Sequence, residues 1–477
     1  MVPWLRHVLL LLLGAAIATP VVLLLHANQG SGHGDAVKHV PVASLAPLNE
    51  HDHVLLSEAH GNDSVVLLAW TPIFGQTHTW QNGGPIAPPS CPQRCTMVVD
   101  RKYLPHAKMV LFHARDIKWD ELPPRDVNGI QPWTLVTMET PVNDVWPVEH
   151  PDRVRLFDYV ASYRHDSDFP MTYEYLSQER DVRSPPYVPI DRRVVDAPVV
   201  WVASNCEANN KRHAYIQRLM GSVSVHSYGN CLRNRDWPQH EADLDPSKPP
   251  LDDRNKRKPG IIELMRHYKF YLAVENSNCL DYVSEKLFNT FSAGIVPIVN
   301  GPREMYAPYL PFPDSALFLD EYDSPEDLAR HIRYLDGNDT AYAELTRYKT
   351  TPDLELSPLF LNRTRELKNR RSTYCLMCMQ AHADIDAENA FNSRGRVVPP
   401  IDGDPSQLRS KLFSPIHGHV ARPDNSCEEN VYAKYYVPST AESWQSVWRV
   451  ALVSFIALIV LVGVAVFWRR IRIFLKF

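Results

Sequence analysis

The chain has 477 residues, of which 44% are hydrophobic and 22% charged, so it is long enough for more than one domain with a large buried core. Its 50 Lys and Arg against 55 Asp and Glu give a net charge of −5, which argues against nucleic acid as a partner. The 40 prolines follow no period, and this excludes a collagen-like chain.

Two apolar runs near the chain ends predict membrane-spanning segments. The first covers residues 8–25, and the second covers 448–468 between two tryptophans. The basic tail 469–477 predicts a cytosolic end there, residues 1–7 form the other predicted cytosolic tail, and the middle of the chain then faces a lumen. The bilayer is therefore an expected partner. A cleaved signal peptide is the alternative for the first run, in place of a signal anchor.

Sequons and cysteines fit a lumenal middle region. Asn-x-Ser/Thr triplets begin at Asn62, Asn338 and Asn362, where glycosylation is expected. In an oxidising compartment the eight cysteines are expected to form disulfides, and the candidates are Cys91, Cys95, Cys375 and Cys378. Four thiolates around zinc are the alternative for these two pairs.

Between the apolar runs, the pattern alternates between strands and helices. Residues 26–60 are rich in Gly, His, Pro and Asp and predict a stem. Short β-branched runs then predict strands at Val65–Ala69, Met109–Phe112, Trp133–Met138, Val199–Ala203, Val223–His226, Tyr271–Val274 and Ile295–Val299. Helical spacing occurs at Asn210–Met220, Ser284–Ala293 and Glu326–Leu335. This alternation predicts parallel sheets and an α/β fold.

A charged, proline-rich stretch at 180–198 predicts a connection between two α/β domains. The predicted domains cover 61–194 and 195–380. Residues 381–447 have little apolar pattern, and they predict a polar stalk that leads to the second membrane segment.

The segment 268–302 carries most of the candidate chemistry. A buried strand is predicted to end at Glu275, and Ser284 is a candidate N-cap that places Glu285 and Lys286 in the first helical turn. Free backbone N–H groups at a helix start suit a phosphate. Lys286 could neutralise a diphosphate, and Glu285 could accept hydrogen bonds from a ribose. The alternative is that both side chains lie on a solvated helix face.

This segment resembles the donor-binding motif of the α1,3-fucosyltransferases, glycosyltransferase family 10. Its Glu-Asn-Ser, Asp-Tyr-x-x-Glu-Lys, Ala-Gly-x-Val-Pro and Gly-Pro elements occur in the family's order. The blocks VLFHARDI, METP, YRHDSD and HSYG, which begin at 110, 138, 163 and 226, also resemble family blocks. WVASNCEANN and SYGNCLRNRDWP resemble an atypical animal branch of the family more than the Lewis-type enzymes.

The resemblance implies a GT-B type fold, in which two Rossmann-like domains face a cleft. It implies inverting, metal-independent transfer of L-fucose from GDP-β-L-fucose, without a cofactor. The first expectation for the acceptor is GlcNAc of a glycan or glycoprotein, in α1,3 linkage, at the Golgi membrane or else the ER membrane. The alternatives are a protein O-fucosyltransferase that acts on Ser or Thr of folded domains, and a non-catalytic lumenal protein that binds a sugar or nucleotide.

Roles for individual residues also follow from the resemblance. Glu139, in METP, resembles the family's catalytic base, and a carboxylate suits that proton transfer. Lys286 and Arg212 resemble the phosphate-binding pair, and Glu285 resembles the ribose ligand. Further expected donor contacts are Asn276, Tyr282, Tyr173, Ser204 and Asn205. No metal ligands are expected.

Overall fold

The computed structural model describes most of the chain between Lys38 and Tyr435. The described residues are 38–61, 64–77, 80, 91–125, 127, 129–143, 151–173, 182–183, 186, 188–190, 193, 196–239, 260–393, 427–428 and 431–435. They divide into two compact units. Unit one comprises the described parts of Met1–Thr137, Leu156–Val160 and Arg371–Ile416, and unit two comprises those of Met138–Arg155, Ala161–Arg370 and His417–Phe477.

Unit one contains a parallel sheet. Its strands are β1 (Ser64–Ala69), β2 (Arg94–Val98), β3 (Met109–His113) and β4 (Trp133–Thr137). β5 (Tyr159–Ser162) and β6 (Phe169–Pro170) complete the order β2-β1-β3-β4-β5-β6, although β6 and the last two residues of β5 belong to the range assigned to unit two. β3 and β4 are fully buried, as expected for strands of a parallel sheet covered on both faces.

Helices of unit one are α1 (Glu50–Gly61) and α10 (Thr373–Ser393). Disulfides Cys91–Cys375 and Cys95–Cys378 join α10 to β2 and to the residues just before it. The expected disulfides at these four positions are therefore confirmed. Because their sulfurs are bonded to each other, these cysteines offer no thiolates for the alternative zinc site.

Unit two contains a second parallel sheet, in the order β12-β11-β9-β7-β8. Its strands are β7 (Val199–Trp201), β8 (Val225–Ser227), β9 (Phe270–Leu272), β11 (Val296–Val299) and β12 (Leu317–Phe318). The chain thus adds strands on one side of β7 and then on the other, which is the doubly wound arrangement.

Helices cover both faces of this sheet. The described helices of unit two are α2 (Pro151–Val154), which precedes this sheet in the chain, and α3 (Arg212–Met220), α4 (Ile261–Met265), α5 (Glu285–Ala293), α6 (Arg303–Tyr306), α7 (Pro325–Asp336), α8 (Asp339–Thr346) and α9 (Pro358–Asn369). Leu287 and Phe291 of α5 belong to one buried cluster, and Ile216 of α3 with Leu328 of α7 belong to the other. Each such buried side chain contributes about 1.5–3 kcal/mol.

Local sequence sets the ends of α5. Ser284 is its N-cap, as the sequence predicts, and Gly294 ends the helix with a φ of 80°. That left-handed conformation favours glycine, and a Cβ there would meet the backbone of Pro186 at 3.1 Å.

Secondary structure occurs within the predicted stalk 381–447, in both units. α10 continues to Ser393, and the short strand β13 (Cys427–Glu428) pairs antiparallel with β10 (Asn278–Cys279). Tyr432 is only 1% exposed. The apolar pattern of this segment is too short to signal burial, because only Val431, Tyr432, Tyr435 and one disulfide anchor its described residues.

The predicted membrane segments need correction. In the part of the chain that the structure describes, no helix is both long and apolar enough to cross a bilayer. Both predicted segments, 8–25 and 448–468, lie outside the described residues, as do the predicted tails 1–7 and 469–477 and the sequon asparagine Asn62.

Candidate active site

Unit two places two loops at its topological switch point. β7 and β9 are neighbours in the sheet, and the chain continues from them toward opposite sides. In doubly wound sheets, ligands bind in the crevice at the carboxyl ends of such strands. Arg212 follows β7, and Glu275 follows β9. The fold therefore brings together two regions that are far apart in sequence.

A buried carboxylate organises the loop after β9. The Glu275 side chain, 1% exposed, accepts hydrogen bonds from the Ser284 backbone N–H (2.8 Å) and hydroxyl (2.7 Å). It also accepts one from Lys286 Nζ at 3.0 Å. These bonds attach the end of β9 to the first turn of α5. The sequence analysis quoted Glu275 but gave it no role.

Lys286 lies at the N-terminus of α5 with its side chain 19% exposed. Burial alone would lower the pKa of its ammonium, but the carboxylates of Glu275 and Glu285 outweigh this effect and raise the pKa. A lasting positive charge at a helix N-terminus suits an anion. The structure thus places Lys286 and Glu285 where the sequence predicts them, with the Glu285 side chain 41% exposed.

Arg212 is the first residue of α3 and is 4% exposed. Its Nη1 donates to the carbonyl of Val274, while its Nε has no hydrogen-bond partner in the described part of the chain. Burial lowers the pKa of the guanidinium, and Glu275 opposes that change. A buried cation with an unsatisfied N–H beside the β9 loop is a suitable ligand for a phosphate oxygen.

Three asparagines fix the backbone around Glu275. Asn300 Oδ1 accepts from the Glu275 N–H at 2.6 Å, and Asn210 Nδ2 donates to the Glu275 carbonyl at 2.9 Å. The side-chain oxygen of Asn278 accepts from both of these asparagines. A largely buried polar network of this kind favours one conformation, because a rearrangement would leave buried polar groups unsatisfied. Sequence patterns gave no signal for these contacts.

Glu139 follows β4 and lies in the part of the chain assigned to unit two. Its Oε2 accepts a hydrogen bond from Asn143 at 3.0 Å. The neighbouring Met138 carbonyl accepts from the Tyr173 hydroxyl at 2.8 Å. Tyr173 in turn meets Tyr282 edge to face, with ring centroids 6.3 Å apart.

The phenols of Tyr173 and Tyr282 interact electrostatically with Glu139 and with the carboxylates near Lys286. Burial raises the pKa of Tyr173, and the charges of Glu139, Glu285 and Glu275 add to the effect. Burial likewise raises the pKa of Tyr282 well above its ordinary value, so both phenols stay neutral. The structure therefore groups Glu139 with the residues around Lys286 within one unit.

The remaining predicted donor contacts are Asn276, which is next to Glu275 in sequence, and Ser204 and Asn205, which lie in the loop after β7. Asn276 follows Glu275 and accepts a hydrogen bond from Ser277 at 3.2 Å. Ser204 and Asn205 are exposed in the loop after β7, and no described hydrogen bond links either residue to Glu275 or Lys286. Ser204 and Asn205 therefore lie at the same sheet edge without joining the polar network.

Two disulfides hold the loops at this edge. Cys206–Cys231 joins the loops after β7 and β8, and Cys279–Cys427 joins the loop after β9 to β13. All eight cysteines of the chain are paired. A Cβ at Gly229 would lie 2.0 Å from the carbonyl oxygen of Ala203, so only glycine permits this approach of the β7 and β8 loops.

Two sequon asparagines are described, and both lie in unit two. Asn362 is exposed on α9. Asn338 is the N-cap of α8, where its Oδ1 accepts from the Ala341 N–H at 3.0 Å. Its amide nitrogen donates to Tyr334.

Sequence comparison identifies the family. Residues 62–174 match the fucosyltransferase N-terminal family, and residues 194–394 match the C-terminal domain of glycosyltransferase family 10 (fucosyltransferase). The chain is 32% identical over 343 residues to GDP-fucose protein O-fucosyltransferase 3 of Gallus gallus, covering 68% of this chain and 67% of that protein. It is 31% identical over 338 residues to the Homo sapiens protein of the same name, covering 67% and 66%.

These relatives are named protein O-fucosyltransferases. Their name matches the alternative prediction, a protein acceptor, and not the glycan acceptor that was expected first. Among solved structures, an α1,3-fucosyltransferase with GDP-fucose is similar at 14% identity with a TM-score of 0.39, covering 65% of this chain and 91% of that one. The matches to both family domains and to relatives along two thirds of their length agree with the motifs at Glu275–Lys286. The chain therefore belongs to glycosyltransferase family 10, the fucosyltransferases.

Proposed function

We propose that the protein transfers fucose from GDP-fucose to a serine or threonine hydroxyl of a folded protein domain. The observation that carries the proposal is the cluster of Lys286 and Arg212 around Glu275 at the switch point of unit two. Two cations beside a helix N-terminus suit a diphosphate, and the names of the relatives support a protein acceptor.

The proposed reaction assigns a role to each charged group. The acceptor oxygen attacks the anomeric carbon of fucose while the bond from that carbon to the β-phosphate oxygen breaks. The bonding electron pair leaves with GDP, and Lys286 and Arg212 stabilise the charge that develops there. Glu139 takes the proton from the acceptor hydroxyl. Attack opposite the leaving group inverts the anomeric configuration, and these steps use no metal.

Unit one has a candidate ligand-binding cavity of its own. A cavity of about 460 Å³ opens at the carboxyl ends of β1 and β2. Its lining combines Trp70 with the charged residues Asp100 and Arg101. An aromatic surface with a few polar groups is typical of binding sites for organic ligands.

We also propose that the protein acts in the lumen of the Golgi or the endoplasmic reticulum. The pairing of all eight cysteines in disulfides supports an oxidising compartment. Exposed Asn362 and the cap residue Asn338 are the proposed glycan attachment sites among the described residues. Glycosidase treatment should increase the electrophoretic mobility of the wild-type protein, which tests the lumenal location. In the double variant N338D/N362Q the change in mobility should disappear, except for the part caused by a glycan at Asn62, which tests the two attachment sites.

Transfer assays decide among the acceptors. The full chain is incubated with labelled GDP-fucose and either folded secreted domains or free GlcNAc-terminated oligosaccharides, with and without EDTA. We expect label on the folded domain alone, unchanged by EDTA. Label on the oligosaccharide alone would restore the glycan acceptor, and the absence of GDP release with either acceptor would contradict catalysis.

A further inference from the structure

The ammonium group of Lys286 has all three of its hydrogen bonds occupied. Nζ lies 2.7 Å from Ser284 Oγ, 3.0 Å from Glu275 Oε2 and 3.3 Å from Glu285 Oε1. A lysine ammonium has three N–H donors and no more. A phosphate can therefore bind Lys286 only by taking the place of one of these three acceptors.

The three acceptors are unequal. Glu275 and Ser284 are completely buried, whereas the Glu285 side chain is 41% exposed and forms the longest of the three contacts. An exposed ion pair contributes little to stability and exchanges easily with solvent. The bond to Glu285 is therefore the one that a ligand would replace.

Glu275 cannot follow Lys286 if the lysine moves. Its backbone N–H and carbonyl are held by Asn300 and Asn210 at 2.6 and 2.9 Å. Its carboxylate is held by the N–H and hydroxyl of Ser284. The carboxylate of Glu275 is thus held in one position, and its hydrogen bond to Nζ orients the flexible side chain of Lys286.

We infer that Glu275 is a positioning residue, which with Ser284 holds two N–H groups of Lys286 and leaves the third for the departing diphosphate. This inference rests on the proposed function. Glu275 contacts neither donor nor acceptor in this account, and it acts only through Lys286. Its fixed negative charge also offsets the repulsion between the half-buried Lys286 and the buried Arg212 before the nucleotide binds.

Substitution of Glu275 by glutamine tests the inference with little change in shape. In Glu275→Gln, one oxygen still accepts from Ser284, but the amide N–H groups face the ammonium of Lys286 and turn it away. A misplaced group near the reacting atoms costs about 10²-fold in rate. We expect kcat to fall by about that factor, with a smaller rise in the KM for GDP-fucose, because the charge on the diphosphate grows in the transition state.

A double-mutant cycle separates positioning from a general structural role. Rates and GDP affinities are measured for the wild type, Glu275→Gln, Lys286→Ala and the double variant, all as full chains. If Glu275 acts through Lys286, Glu275→Gln causes little further loss once Lys286 is alanine. Losses that multiply in the double variant would overturn the inference.

Serine caps provide a matched second test in case Glu275→Gln fails to fold. Ser284 caps α5, and Ser324 caps α7 through the N–H of Asp327. Ser284→Ala and Ser324→Ala should lower Tm similarly, but only Ser284→Ala should lower kcat. Equal kcat values for the two variants would overturn the inference.

The GDP measurements keep this inference distinct from the proposed function. If the wild type transferred no fucose to any acceptor, the proposed function would fail, and the cycle in GDP affinity alone would still decide the role of Glu275. Non-additive affinities would support positioning of Lys286, and additive affinities would exclude it.

Discussion

The Cys279–Cys427 disulfide is predicted to be a major source of stability for unit two. The variant Cys279→Ser/Cys427→Ser removes a link between residues separated by 148 positions, while Cys206→Ser/Cys231→Ser removes one across 25. The chain-entropy relation gives about 5 kcal/mol for the first link and about 3.5 kcal/mol for the second at 25 °C. The longer link is worth more because it restricts the unfolded chain more.

Loss of this disulfide should also weaken the binding of GDP at the donor site. Cys279 lies in β10, between Asn276 and Tyr282, and without the link β13 is held to β10 by strand pairing alone. Ordering one additional residue on binding costs about 1–2 kcal/mol, so we expect GDP affinity to fall about tenfold. The contacts of Tyr432 with Asp320 and Asn210 remain in this variant and keep the segment nearby.

Urea unfolding and GDP titration of both serine variants and the wild type check this reasoning. We expect the free energy of unfolding to fall most in Cys279→Ser/Cys427→Ser, with a larger m-value, because the unfolded chain without the link is less compact. The reasoning would be refuted by a loss below about 1 kcal/mol, or by a larger loss in Cys206→Ser/Cys231→Ser.

Three further substitutions probe the base, a buried acid and a close backbone contact. Glu139→Gln keeps the contact with Asn143 and should lower kcat by about 10²–10⁴-fold with GDP affinity intact in calorimetry; weakened GDP binding would assign Glu139 to the donor. Burial raises the pKa of Asp384 from 3.8 to about 6, so the wild type loses stability as pH rises through this range. Asp384→Asn should therefore be more stable by up to about 3 kcal/mol at pH 7 and no more stable near pH 4, as urea unfolding would show; equal gains at both pH values would contradict this. Gly229→Ala places a methyl group against the carbonyl of Ala203 and should cost about 1–3 kcal/mol with loss of GDP binding, and an unchanged Tm would disprove the close contact.

Local patterns predicted the elements that position the site. The strand predicted at Ile295–Val299 is β11 (Val296–Val299), and the predicted helix Ser284–Ala293 is α5 with Ser284 as its cap. Such features depend on periodicity and on one capping residue, which are visible within ten residues of sequence. The positions of Lys286 and Glu285 followed directly from them.

The partners of these residues were not predictable in the same way. Nothing near Glu275 in sequence shows that Asn210 and Asn300 hold its backbone, because both contacts depend on strand order. Disulfide candidates were recognised, yet the pairing of Cys279 with Cys427 requires the fold. β2 was missed because its strand, Arg94–Val98, is only partly buried and lacks a long apolar run.

The doubly wound order explains why a buried glutamate occurs at this position. β7 and β9 are neighbours, so the residues that follow them bring Arg212 and Lys286 to the same edge of the sheet. The charge of Arg212 acts to lower the pKa of the Lys286 ammonium, so the two cations without a nearby anion would destabilise the empty site. Glu275 supplies that anion from the end of β9, and its own burial is compensated by Ser284 and Lys286. The same carboxylate that makes the site stable without nucleotide therefore fixes the lysine for the diphosphate. For this reason Glu275→Gln should lower both stability and kcat, whereas Ser324→Ala should lower stability and leave kcat unchanged.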